Sequence, residues 1–280
     1  MAPGESPTPT LGASSGEEVP PEILTVAREA ERVVVLTGAG MSAESGVPTF
    51  RDAQTGLWER FDPAQLATPQ AWEEDRAFVW AWYAWRRGLV RHAEPNAGHR
   101  ALARWEAAWS ARGAGPARSI QIATQNVDDL HERAGSTVLA HVHGNLFASR
   151  CERCERAYED TEPPPAEPVE RIAPPSCPQC GAAVRPGVVW FGEMLPAAEF
   201  EAAHEATIGA DLVLVVGTSG IVHPFAGLPV AVAAAGIPVV EINPVDTELS
   251  PIVGHCWRVG AAVALPALVD AVLGESDGVR

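Results

Sequence analysis

Positive charge is scarce in this chain. Its 280 residues carry 20 basic and 36 acidic side chains, for a formal net charge of −16 and a pI near 4.9. A protein that grips a phosphate backbone needs a basic face, so nucleic acid is not an expected partner, and basic protein tails suit the charge better. No leader is expected either: MAPGESPTPTLGASSGEEVPPE has neither a basic start nor an apolar stretch, and its acidity argues against a mitochondrial transit peptide. Its Pro, Gly, Ser and Glu predict a disordered acidic tail over residues 1–20. The expected location is the cytoplasm. No membrane span is expected either, because the most apolar region, DLVLVVGTSGIVHPFAGLPVAVAAAGIPVVEI, is broken by Gly, Pro and His at strand-like intervals. Tyrosine is rarer still, at two residues. No dimerisation signal stands out, and a monomer is expected.

What is present reads as an α/β fold. ERVVVLTGAG, RSIQIATQNVDDL, DLVLVVGTS and IPVVEINP are β-branched runs that end abruptly in small or polar residues, with helix-length segments between them. Such alternation predicts a Rossmann-like open parallel sheet with helices on both faces. Ligands of these sheets bind beyond the carboxyl ends of the strands. Residues 21–55, 110–148 and 186–275 are assigned to that domain. Residues 56–109, rich in Trp, read as a helical module, and 149–185 as a zinc-ribbon module; together they make a smaller domain.

Three motifs carry chemistry. Gly38-Ala39-Gly40-Met41-Ser42-Ala43 is a G-x-G-x-x-A after a strand, a pattern whose glycines let a pyrophosphate approach the backbone at a helix start. A tight turn alone would account for it equally well. The acidic residue that a dehydrogenase places some twenty positions later is missing, GLWERFDP standing there, which argues against hydride transfer. Cys151-x-x-Cys154 and Cys177-x-x-Cys180 form two knuckles, and four thiolates complete a closed, structural zinc tetrahedron. A zinc-ribbon binding module would explain these cysteines but leave the nucleotide-like loops unused. Cys256 is expected in the core or a cleft wall. In TQNVDDLH and HVHGN, Asn126 and Asp128 follow a strand end, and either His141 or His143 facing the crevice would suit a general base near neutral pH.

Taken together, GAGMSAESGVPTFRD, TQNVDDLH, HVHGN, the two cysteine pairs, PGVVWFGE and VVGTS stand in the order found in sirtuins, and the chain resembles that family over roughly residues 22–272. The resemblance implies an NAD-dependent protein lysine deacylase that consumes NAD as a co-substrate and holds one structural zinc. It assigns the NAD pocket to Gly38, Ala39, Gly40, Ala43, Glu44, Thr49, Phe50 and Arg51, with Phe50 shielding the nicotinamide end. Gln125, Asn126 and Asp128 fall on ribose and nicotinamide contacts, Gly217, Thr218 and Ser219 on a second phosphate-side loop, Asn243 on the adenosine ribose, and Ala261 beside adenine. His143 falls on the catalytic histidine, with Asn126 beside it. Val188, Val189, Trp190 and Phe191 resemble the segment that takes an acyl-lysine peptide by strand addition.

The segment WYAWRR bears on the acyl group. At helical spacing Phe78, Trp82, Trp85 and Leu89 form an apolar stripe, leaving Tyr83 and Arg86 off its edge on one shared face. Periodicity alone favours Arg86 as part of a solvated rim with Arg87. The resemblance reverses this: Tyr-x-x-Arg is similar to the motif of class III sirtuins, which prefer succinyl, malonyl and glutaryl lysine to acetyl lysine. An arginine fork and a tyrosine hydroxyl suit a terminal carboxylate, and Ala53 is expected to keep the acyl channel wide. A general deacetylase or a protein ADP-ribosyltransferase would share the other motifs.

Overall fold

The computed structural model describes residues 18–48, 58, 61–111, 118–160, 165 and 167–274. Six parallel strands form the main sheet: β1 (Arg32–Thr37), β2 (Ser119–Thr124), β3 (Val138–His141), β7 (Leu212–Val216), β8 (Val239–Ile242) and β9 (His255–Trp257). Their order is β3-β2-β1-β7-β8-β9. The four expected strands are there, and β3 and β9 add the two edges. From the centre the chain winds outward in both directions, so the switch point lies between β1 and β7. Thr37 pairs level with Thr124 on one side and Val216 on the other, so three strands end together there. The crevice of such a sheet opens at that place.

Alternation along β1 explains the two layers. Val33 and Val35 pack with α1 (Pro21–Glu29), α6 (Ala97–Ser110) and α10 (Ala261–Gly274). Val34 and Leu36 point the other way, into the core that covers α8 (Ala197–Ile208) and α9 (Gly227–Ala234). A strand buried on both faces must be apolar throughout, as RVVVLT nearly is. Helix α6 supplies Leu102, Trp105 and Trp109 to the first layer. This last helix of the 56–109 segment thus shares the large sheet's core.

The smaller domain is built around α5 (Arg76–His92), which Asp75 starts by accepting a hydrogen bond from the Phe78 amide at 2.9 Å. A three-stranded antiparallel sheet packs beside it, in the order β5 (Ala157–Tyr158), β4 (Gly144–Cys151), β6 (Val184–Val188). The shared core gathers Trp58, Trp72, Trp80, Trp82, Leu146, Val184 and Trp190. The expected stripe breaks at its end, since Leu89 is 37% exposed, whereas Arg86 and Arg87 are each only 6% exposed. Arg87 is no rim residue either: it pairs with Asp160 at 3.3 Å and lies over Trp80. Other elements cover this helix on more sides than one stripe requires. Cys256, on edge strand β9, is exposed, against the expectation of a core or cleft position. Among the described residues no helix is long and apolar enough to cross a membrane.

One polar feature lies inside the core. Asn96 caps α6 in a capping box with His99, whose Nδ1 accepts the Asn96 amide hydrogen. The His99 ring stands edge-on to His131 at 4.8 Å. Burial, then the nearby Arg100, holds His99 down to about 4, and burial pushes His131 well below the usual value. Between pH 6.5 and 4 the unfolded chain therefore binds more protons than the folded one, and stability falls as pH drops through this window. His99 alone should cost about 2 kcal/mol between pH 7 and 5. Thermal melts at the two pH values should show a smaller acid loss for His99→Gln, which keeps the cap's acceptor and removes the titration. An unchanged acid loss would overturn this assignment.

Candidate functional site

The loops after β1 and β7 interlock. The Gly40 amide donates to the Gly217 carbonyl at 2.8 Å, and that of Gly38 to Val216 at 3.0 Å. A Cβ on Gly38 would sit 2.9 Å from the Gly217 oxygen, and one on Gly40 2.7 Å from the Gly217 Cα. Gly217 itself has φ +63°, and its Cβ would meet the Met41 amide nitrogen at 2.4 Å. Contact between these loops alone already demands glycine at three of the expected cofactor positions, before any ligand is considered. Ala39 leads into the short helix α2 (Gly40–Ala43), and Ala43 is exposed.

The neighbouring polar groups tie the loops into one network. Thr218 donates its hydroxyl to the Gln125 side-chain oxygen at 2.9 Å and takes the Asn243 amide on its carbonyl at 3.0 Å. Asn126 donates to the Ser42 hydroxyl at 3.1 Å. Asp128 is buried; burial raises it above the usual carboxylate range, opposed by the Leu130 amide and by Ser42. Glu44 accepts from the Ala262 amide at 2.7 Å and so holds the start of α10, where Ala261 is buried. Ser219 is half-buried beside Thr218. Ser42 was not singled out from the sequence, although it lies inside the G-x-G-x-x-A pattern. Thr49, Phe50, Arg51 and Ala53 lie outside the described residues.

His143 sits at the mouth of this network. Its Nδ1 is 3.1 Å from the Gln125 carbonyl, which can only accept, so Nδ1 carries the hydrogen and Nε2 keeps its lone pair. Burial lowers its pKa, partly offset by that carbonyl. His141 is turned to different partners. Its Nδ1 lies 3.2 Å from the Asn126 carbonyl and its Nε2 2.6 Å from the Glu132 carboxylate. Both are acceptors, which favours a proton on each ring nitrogen; burial opposes that charge, but Glu132 outweighs it and raises the pKa. Of the two rings, His143 is the one whose Nε2 is left with its lone pair.

The 188–191 segment runs next to it and reaches α5. The Val189 amide donates to the His143 carbonyl at 2.8 Å, and that of Phe191 to Ala67 at 2.9 Å. Val188 ends β6, opposite Gly144. Trp190 reaches across to α5, its indole N–H donating to the Tyr83 hydroxyl at 3.0 Å. Burial pushes the Tyr83 phenol well up, so it stays protonated. Arg86, one turn on, lies 5.1 Å from the Trp82 ring centre; burial lowers its pKa, while Tyr83 and Asp128 act to hold the charge. The structure thus brings Tyr83, Arg86, Trp190 and the nucleotide-side Asp128 into one neighbourhood.

The four expected cysteines converge at the end of the small domain. Cys151 and Cys180 sulfurs are 3.4 Å apart, those of Cys154 and Cys177 3.7 Å, and all four lie within 4.8 Å of one another. A tetrahedral zinc with bonds of about 2.3 Å spaces its sulfurs roughly 3.8 Å apart, so the cluster fits that ion. The Arg153 and Cys154 amides point at the Cys151 sulfur, 3.4 and 3.5 Å away, as in a metal knuckle. The Cys154 amide leads in holding that thiol down to about 6. The cluster is a structural zinc site with its four ligands supplied by protein.

Comparison with known proteins agrees with this geometry. The Sir2 family profile matches residues 38–224. The NAD-dependent protein deacylase of Corynebacterium glutamicum is 51% identical over 244 residues, covering 87% of this chain and 92% of its own. Among solved structures, a Sir2 homologue in complex with NAD aligns with a TM-score of 0.81 at 43% identity, over 92% of this chain and 95% of that one. A mutant Sir2 homologue in complex with 2′-O-acetyl ADP ribose aligns with a TM-score of 0.82 at 42% identity, over 94% and 99% of the two chains.

Proposed function

Because this chain belongs to the Sir2 family, we propose that it is an NAD-dependent protein lysine deacylase that favours acidic acyl groups (succinyl, malonyl and glutaryl) and removes acetyl more slowly. The deacylase reading is supported by relatives at about 50% identity that are NAD-dependent protein deacylases. The observation that carries the acyl preference is the buried pairing of Tyr83 and Arg86 on one face of α5, beside the segment expected to take the peptide. A terminal carboxylate offers the Arg86 guanidinium a charged, bidentate acceptor that a neutral acetyl group lacks.

NAD enters as a co-substrate. Nicotinamide leaves from an oxocarbenium-like ribose carbon, and the acyl-lysine amide oxygen bonds to that carbon. The protein's part is to hold the two in line and exclude water. Asn126, Gln125 and Asp128 surround the expected reacting end of NAD, while Thr218 and Asn243 stand on the adenosine side. Through its Nε2 lone pair His143 takes a proton from a ribose hydroxyl, whose oxygen attacks the imidate carbon. Addition of water and loss of the amine then give free lysine and O-acyl-ADP-ribose. A proton on Nδ1, held by the Gln125 carbonyl, leaves Nε2 as the acceptor for this step.

Kinetics on one peptide bearing acetyl, malonyl, succinyl or glutaryl lysine test the proposal. Nicotinamide release should depend on the acylated peptide, with no NADH absorbance at 340 nm. The three acidic acyl groups should each give a higher kcat/KM than acetyl; equal values would remove the acyl preference. The chain contains no lysine of its own, so every lysine freed in the assay belongs to the peptide.

A further inference from the structure

The Tyr83 hydroxyl has a fixed hydrogen-bond direction. An indole N–H can only donate, so at 3.0 Å from Trp190 Nε1 the Tyr83 oxygen accepts, and its own hydrogen must point away from that line. Arg86, three residues along the same helix and electrostatically coupled to Tyr83, carries only donors and cannot receive that hydrogen. The nearby Glu193 carboxylate is already held by Arg185 and the Trp190 amide, so among the described residues the hydroxyl hydrogen is left for an acceptor brought from outside.

The indole is not free to swing out of this contact. The Arg185 guanidinium lies 3.4 Å from the Trp190 ring centre, and it forks onto Glu193 at 2.6 and 2.9 Å. Glu193 in turn accepts the Trp190 backbone N–H at 2.8 Å. On the remaining side stands the Trp72 ring, 5.6 Å away and anchored to Glu152 at 2.8 Å. Trp190 is 2% exposed. Nothing in this clamp is needed merely to bury an aromatic ring, which apolar neighbours would do without an ion pair.

We infer that Trp190, clamped by Arg185 and Glu193, is a specificity-determining positioning residue: its indole N–H turns Tyr83 into an obligate donor, aimed at a carboxylate on the acyl chain. The inference rests on the acidic-acyl reading above and extends it to a residue whose expected role was only in its backbone. Acyl chains ending in a carboxylate supply the acceptor that Tyr83 requires. Chains ending in a methyl group offer none, and those ending in an ammonium offer only more donors. A rigid clamp also makes the selection geometric, because the hydroxyl is turned before the substrate arrives.

Trp190→Phe removes the N–H and keeps a ring for Arg185 and Trp72 to pack on. Its KM for the succinyl peptide should rise about five- to tenfold, the worth of one buried hydrogen bond, with the change in KM and not in kcat. The succinyl-to-acetyl ratio of kcat/KM should fall by the same factor. Tyr83→Phe should lower that ratio too, and the double variant should be no worse than Tyr83→Phe alone, because Trp190 acts through the hydroxyl. Equal loss on acetyl and succinyl peptides, or additive losses in the double variant, would overturn the inference and leave Trp190 a packing residue. Retained succinyl preference in Trp190→Phe would do the same, with the acidic-acyl reading intact. If the unmodified enzyme and Arg86→Met alike show no succinyl preference, the reading beneath it fails and the inference falls with it.

Discussion

Arg86→Met should lower the succinyl-to-acetyl ratio of kcat/KM by about 10- to 150-fold. That range corresponds to about 1.5–3 kcal/mol for a hydrogen bond to a charged group. Methionine keeps the length and volume that bury Arg86 to 6% exposure, so the fold has no reason to open. What is lost is a fork able to grip a carboxylate with two parallel donors. Burial works against the Arg86 charge, while Tyr83 and Asp128 act to hold it. An arriving acyl carboxylate offers the guanidinium a charged, bidentate acceptor that an acetyl group lacks, which is why discrimination should be large. Measured on one peptide with two acyl groups, equal losses would show that Arg86 serves packing alone.

His143→Ala should reduce kcat by about 10² to 10⁴-fold on every acyl group, the usual worth of a positioned general base. The expected site survives the change. Asn126 keeps its bond to Ser42 and Thr218 its bonds to Gln125 and Asn243, while the Val189 amide still meets the residue-143 carbonyl. Circular dichroism and the melting temperature should therefore stay close to those of the unmodified chain. The pH profile adds a second test. A base must be neutral to act, and burial lowers the His143 pKa, so the acid limb of kcat/KM should lie below the ordinary histidine value of about 6.5. Full activity in the variant would remove His143 from the mechanism.

Some of the site was legible because its chemistry is local. Two Cys-x-x-Cys knuckles declare a four-sulfur cluster by spacing alone, and the sulfurs do converge within 4.8 Å. Tyr83 and Arg86 share a face because a helix turns every 3.6 residues. Other parts were hidden in long-range pairing. Nothing about Gly217 in sequence says that Gly38 and Gly40 must be glycine to fit against it. The partners of His141, which separate it from His143, come from Asn126 and Glu132 on other elements.

Composition and pattern by themselves determined that this is an acidic α/β protein with a parallel sheet, a zinc cluster and a nucleotide-side crevice. Alternation of apolar residues and ligand spacing are properties of neighbours in the chain, and they can be read without coordinates. Only the tertiary structure decided that Arg86 and Arg87 are buried. It alone put the indole of Trp190 on the hydroxyl of Tyr83, 107 residues away in sequence. Periodicity tells which residues of a helix share a face, but not how many neighbours enclose that helix, and α5 is enclosed on more sides than its apolar stripe requires.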